Sequence, residues 1–306
     1  MPMFCRHNRL TGKCPICRQE QEAALPKLPA KPRRTSASPR PARREATARP
    51  AAGSSRRPST RLVTRRLARP EDDGYRNPLV PGLRATADAE RLAAALLVAE
   101  RRLEPPGPYP SVALQPDRDE ALWLAFLLAL AGPDAPDRQA GLEEARPSWA
   151  SGEDPDLPPS QRLTAAAYRA WAARSGSQSA AFEGEPAWTP ARRFARLFER
   201  LSLPGFGREK RYELLLTLGA TGLYAVEADA LHFGSEDDAT TQAAKRLLVS
   251  GDRMLLERRA RELASACGLP LAAFDRGLAL WGAPATPLEL GDEGPPAAVR
   301  RALKLP

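Results

Sequence analysis

Chemistry-bearing residues fall into three short stretches of the 306-residue chain. The first is Leu203-Pro204-Gly205-Phe206-Gly207, followed by Arg208-Glu209-Lys210-Arg211. Pro presets one backbone dihedral, and Gly permits positive φ and leaves no Cβ to block an approaching group. The helix expected after it presents free N–H groups and the positive end of its dipole, a combination that binds phosphate. The second stretch is Asp237-Asp238 before Ala239-Thr240-Thr241. A carboxylate there can activate water or stabilise a developing cation, yet Asp-Asp-x-Thr is also an ordinary helix-capping sequence. The third is Cys5-Arg6-His7 with Cys14-Pro15-Ile16-Cys17. Three thiolates and an imidazole suit tetrahedral Zn2+, with Cys14 and Cys17 as a knuckle and Cys5 and His7 completing a Cys3His set. So small a segment has almost no apolar core, so the metal would fold it.

Helical patterns position the first two stretches. Residues 88–102 place Leu92, Ala95, Leu96 and Ala99 on one face, with Leu103 just beyond. Residues 121–131 are apolar on every side but too short to span a bilayer, which predicts a central buried helix. A short helix is expected near 138–145, and a longer one from a Ser160 cap to about Arg174, with Leu163, Ala167, Tyr168 and Trp171 inward. A Gly/Ser loop to Pro186 follows. Thr189-Pro190 reads as N-cap and first helical residue of a helix over 191–201. That helix, the turn at 203–207 and a helix over 208–218 make a helix-hairpin-helix pattern. Further helices are expected over 239–249, 253–267 and 271–281. Strand-like alternation is absent, so the fold class is all-α. Cys267 reads as a packing residue.

Charge is unevenly divided. Residues 1–70 carry 18 Lys/Arg against three acids, a net of +15, and the remainder carries 28 against 34. The expected organisation is a zinc-binding segment at 1–22, a basic Pro/Arg/Ser-rich linker at 23–75 with too little apolar content for a core, and a helical domain at 76–306. The linker is either a plain spacer or a salt-dependent electrostatic tether to nucleic acid. No apolar run approaches a membrane span and no signal peptide is recognisable, so the expectation is a cytoplasmic, nucleoid-associated protein without membrane partners.

The order of these elements resembles the helix-hairpin-helix DNA glycosylase superfamily over roughly residues 115–285. The carriers are the apolar helix, the Leu-Pro-Gly-Phe-Gly hairpin and an Asp opening a helix about 30 residues later. Within it, the run from Asp237 to Arg246 with Gly251-Asp252 looks most like the alpha-glutamyl/putrescinyl thymine pyrophosphorylase-like branch, associated with hypermodified thymine. The resemblance implies DNA as partner and cleavage of the N-glycosidic bond of a modified or damaged base, with Asp238, or Asp237 beside it, as the acid. It implies backbone contacts to DNA from Pro204, Gly205 and Gly207, charge from Lys210, Arg211, Lys245 and Arg246, and a base pocket near His232 and Phe233. Bifunctional relatives carry a Schiff-base lysine where this chain has Glu209, with Lys210 one step on, so a monofunctional reaction is implied. The cysteine cluster that binds iron–sulfur in some relatives is missing, so none is expected. The Gln-Thr that follows the buried helix is missing as well, leaving the contacts to the opposing base open. The alternatives are a non-catalytic DNA-binding protein whose zinc segment docks a protein partner, and a helical scaffold with no DNA role.

Overall fold

A computed structural model describes residues 71–234, 238–283 and 294–306, all within the unit Thr64–Pro306. The proposed ligands Cys5, His7, Cys14 and Cys17, the linker to residue 70, and Asp237 lie outside the described residues. Those residues form helices and no strand. In chain order they are α1 (Thr86–Arg101), α2 (Pro110–Ala113), α3 (Arg118–Ala131), α4 (Pro136–Ala145), α5 (Pro159–Arg174) and α6 (Gln178–Glu183). Then come α7 (Pro190–Arg200), α8 (Arg208–Ala220), α9 (Ala239–Leu248), α10 (Arg253–Cys267), α11 (Leu271–Gly282) and α12 (Ala297–Ala302). A short 3₁₀ turn, Trp149–Ser151, lies between α4 and α5.

Local chemistry sets many of the ends. Asp117, Ser177, Thr189 and Asp252 each accept a backbone N–H of the first turn, satisfying a donor the helix cannot. Pro190 follows Thr189 at the first helical position, as its sequence predicts. Gly268 ends α10 in the left-handed conformation, with its own N–H and that of Leu269 closing onto Ser265 and Ala264. The Ser160 cap is not formed; Pro159 opens α5 instead.

Helix α3 is the centre: Ala121 through Leu130 are all buried, as an all-apolar helix requires. It packs against α8, α4 and α6. On the other side of the fold α11 packs tightly on α1 and also on α9. A Cβ at Gly277 would come within 2.6 Å of Leu96, so this glycine permits the α1–α11 approach. The N-terminal segment is tied to the C-terminus by Asn77, whose Nδ2 donates to the Ala302 carbonyl at 2.8 Å.

Two details depart from the periodicity. Leu163, expected inward, is 63% exposed, and the face of α5 turned to the core is Thr164, Ala165, Tyr168, Trp171 and Ala172. The stretch read as a Gly/Ser loop contains α6, whose Phe182 is fully buried against Trp171 and Tyr224. Among the described residues no single helix is long and apolar enough to cross a membrane.

Candidate functional site

The turn between α7 and α8 is held from inside by Phe206. This ring is buried against Phe126 of α3 at 5.2 Å, and Phe126 in turn stacks on Tyr168 at 3.8 Å. Burying a Phe contributes about 1.5–3 kcal/mol, enough to fix a short turn on the core. From α5, the Thr164 hydroxyl donates to the Pro204 carbonyl at 2.7 Å. The two glycines differ in what they do. Gly205 has φ 71° and a Cβ on it would meet the Thr164 hydroxyl at 2.6 Å, so glycine is required by backbone and space alike. Gly207 has an ordinary φ of −66° as N-cap of α8, and open space lies where its Cβ would be. It leaves a bare helix N-terminus facing outward, with no side chain capping the first amides.

Arg208, first residue of α8, organises the ground beneath. Its guanidinium is buried and donates to the carbonyls of Leu231 and His232 and to Asp275 of α11, with Asp238 3.4 Å away. Asp275 and Asp238 hold it firmly protonated despite burial. Asp275, buried, is pushed up to about 6 by desolvation even with Arg208 against it. The segment from Leu231 to Phe233 is also clamped from the opposite side, where the Glu257 carboxylate of α10 accepts both their N–H groups at 3.0 and 2.8 Å. His232 between them adopts a left-handed backbone (φ 51°).

Asp238 is the N-cap of α9: its Oδ2 accepts from the Thr241 N–H at 3.2 Å and from the Thr241 hydroxyl. The capping role foreseen as its ordinary explanation is therefore real, and the residue is 8% exposed. Its other oxygen, Oδ1, is buried and finds no hydrogen-bond donor among the described residues. Glu209 reaches the same helix end, its Oε1 accepting the Thr240 N–H at 3.3 Å. Partial desolvation first, then the hydrogen bond and charge of Asp238, raise the Glu209 carboxyl above the usual range although the residue reaches solvent.

Two concavities meet at Glu209. A hollow of about 460 Å³ is lined by Gly205, Gly207, Lys210, Gly234 and Asp238 together with Arg208, Glu209 and Arg211. A cleft of about 670 Å³ between α8, α9 and α11 has Leu216, Ala279 and Leu280 as apolar wall and Glu209, Thr240 and Asp275 as polar groups. Thus hairpin and acid share one depression.

Other expected site residues are placed elsewhere or carry other duties. Lys210 is half-buried with Nζ 3.5 Å from the Gly205 carbonyl, its pKa lowered by burial and by Arg138. Arg211 donates to the Phe198 carbonyl at 3.0 Å and lies over the Phe198 ring, so it also braces α7 against α8. Lys245 and Arg246 occupy the last turn of α9, where the helix dipole favours cations, about 10–12 Å along the axis from Asp238. Arg246 lies over the Trp281 ring at 4.8 Å. His232 stacks on Phe198 at 4.3 Å and opens onto a different hollow beside Asp252 and Glu257, and burial lowers its pKa. Phe233 is 1% exposed in the core. Neither lines the cleft beside Glu209 and Thr240. Cys267 is buried, and burial pushes its thiol up to about 11, which suits packing and not nucleophilic work. The residues that sequence reasoning missed are Arg208, Thr164, Asp275 and Glu257, whose partners are all far away in the chain.

Comparison with protein-family models, with curated proteins and with solved structures returned no match to this chain.

Proposed function

We propose that this protein binds DNA through the 203–207 hairpin and cleaves the N-glycosidic bond of a modified or damaged base held in the cleft between α8, α9 and α11. One observation carries the reading: the glycines of the hairpin, the open N-terminus of α8 and Asp238 line a single hollow. A phosphate at the amides following Gly207 brings the adjoining nucleotide to the acids at the start of α9. Base flipping costs a few kcal/mol, and the hairpin contacts offset part of it. The neighbouring cleft, with Leu216 and Leu280 to pack on and Glu209 and Thr240 to hydrogen-bond, has the character of a base pocket. This moves the pocket from His232 and Phe233 to the other side of Arg208.

In the reaction, positive charge develops on the sugar as the bond to the base lengthens, and the Asp238 carboxylate supplies the opposing charge. Arg208 and the α9 amides hold that carboxylate in place. Glu209 in place of an amine-bearing residue leaves no imine at that position, so the chemistry is monofunctional. A modified thymine is the first substrate class to try. The basic residues before position 70 add a sequence-independent attraction to DNA. The Cys5, His7, Cys14 and Cys17 set is proposed to hold a structural Zn2+ and to offer a protein-docking surface.

The burial of Asp238 as a cap favours a second reading, a DNA-binding protein without catalysis. Incubating the protein with a panel of modified duplexes and identifying released bases by mass spectrometry separates the two. Base release that Asp238→Asn abolishes, with binding retained, supports the enzyme; salt-dependent binding with no product from any duplex supports the binder.

A further inference from the structure

Resting on that reading, we infer that Glu209 is a second catalytic residue, paired with Asp238 across the N-terminus of α9 and delivering the proton to the leaving base. The two carboxyls come from different helices and accept adjacent amides, Thr240 N–H for Glu209 and Thr241 N–H for Asp238. Asp238 faces a cation and donors: Arg208 stands 3.4 Å from Oδ2, and the Thr241 N–H and hydroxyl both donate to that oxygen. Its Oδ1 is the buried acceptor with no donor among the described residues, and a protonated Glu209 supplies the missing hydrogen. The raised pKa of Glu209 agrees. Of the two carboxyls, the one against a guanidinium suits the charged role and the one without a cation suits the proton donor.

The cleft independently singles out Glu209. Of its other carboxylates, Glu213 is paired with Arg102, Asp134 with Arg276 and Asp275 with Arg208. Glu209 has no ion-pair partner among the described residues and is the member of the pair that reaches solvent. Beside it Thr240, a residue of the same cleft, is 1% exposed and keeps a buried hydroxyl with no partner among the described residues.

The step balances as a hydrolysis. The bond from C1′ to the base breaks with its electron pair passing to the base, and the Glu209 proton goes to the base. The sugar cation forms against the Asp238 carboxylate; water adds to C1′ and its proton returns to Glu209. The products are the free base and a sugar hydroxyl, and the pair is restored.

The test compares wild type, Glu209→Gln and Asp238→Asn on duplexes carrying 5-substituted uracils that differ in how readily the base departs as an anion. Gln keeps a donor for Oδ1 but cannot give up a proton. The expected result is that Glu209→Gln slows release of the poor leaving groups by about 10²-fold or more and barely affects the best ones. Wild-type release should also decline as pH rises through the Glu209 titration. Equal loss across all leaving groups, or none, overturns the proton-donor role. Carboxyl-13C titration of Glu209 in the full chain tests the pair without any turnover: Asp238→Asn should lower its pKa, and an unchanged titration removes the pair. Wild type that releases no base from any duplex overturns the enzyme reading and the donor role with it, whatever the titration shows.

Discussion

The Thr164 hydroxyl donates to the Pro204 carbonyl across 2.7 Å, joining α5 to the turn that carries Gly205 and Gly207. The same hydroxyl oxygen sits where a Gly205 Cβ would fall. Gly205→Ala therefore meets both a left-handed backbone and a steric contact, and the expected cost is about 1–3 kcal/mol by denaturant titration. Thr164→Val should cost about 1 kcal/mol by removing the bond while leaving the carbonyl to water.

Gly207→Ala separates binding from folding. Its φ is ordinary and its Cβ direction is open, so stability should change by less than about 0.5 kcal/mol. On the proposed binding mode a methyl group there stands in the path of the phosphate, and affinity for duplex DNA should fall about tenfold, or ~1.4 kcal/mol, in a fluorescence titration. Unaltered affinity would mean that the turn is only a link between helices.

Arg208→Met leaves the Asp275 and Asp238 carboxylates without their cation and two carbonyls without a donor. Breaking a buried pair from one side costs about 3–5 kcal/mol, so the variant should be strongly destabilised in chemical denaturation. A loss under about 1 kcal/mol would show that Arg208 does not hold the 231–233 segment.

Asp275 gives a pH signature. Its folded pKa, about 6, lies above the ordinary value of 3.8, so the native state binds the extra proton. Stability then falls as pH rises from about 4 through 6, the reverse of an exposed salt-bridged Asp. Asp275→Asn, which fixes a neutral side chain there, should relieve the loss at neutral pH and flatten this portion of the profile. An unaltered slope in the variant would place the titration on another group.

Much of the scaffold was legible from local pattern. The all-apolar run 121–131 had to be central, Thr189-Pro190 had to open a helix, and the apolar spacing of 253–267 coincides with α10. Failures came where a distant partner overrode local pattern. Leu163 points outward on α5, while Thr164 takes the inner face and donates to the hairpin carbonyl. Helix α6 hid among Gly and Ser because only three of its residues are buried. At the site, the Asp capping α9 could be read from the residues, while its nearness to the hairpin was implied only by the resemblance. The roles of Arg208, Asp275 and Glu257 could not, since their contacts span 23 to 67 positions and leave no periodic trace.

The zinc proposal stands on residues 5–17 alone and is checked on the full chain by elemental analysis after exhaustive dialysis. The expected result is about one zinc per chain at neutral pH, lost in a Cys14→Ser/Cys17→Ser double variant. Equal, low metal content in both would remove the Cys3His site.

The central claim is that the acid at the start of α9 breaks an N-glycosidic bond in DNA gripped by the 203–207 hairpin. Its most direct measurement follows base release and DNA binding in the same samples, for wild type and Asp238→Asn, since Asn keeps the helix cap. The expected result is release by wild type alone with affinity equal within about twofold, ~0.4 kcal/mol. Release at the same rate by Asp238→Asn, or bound DNA left intact by wild type across the whole panel of modified bases, would contradict it.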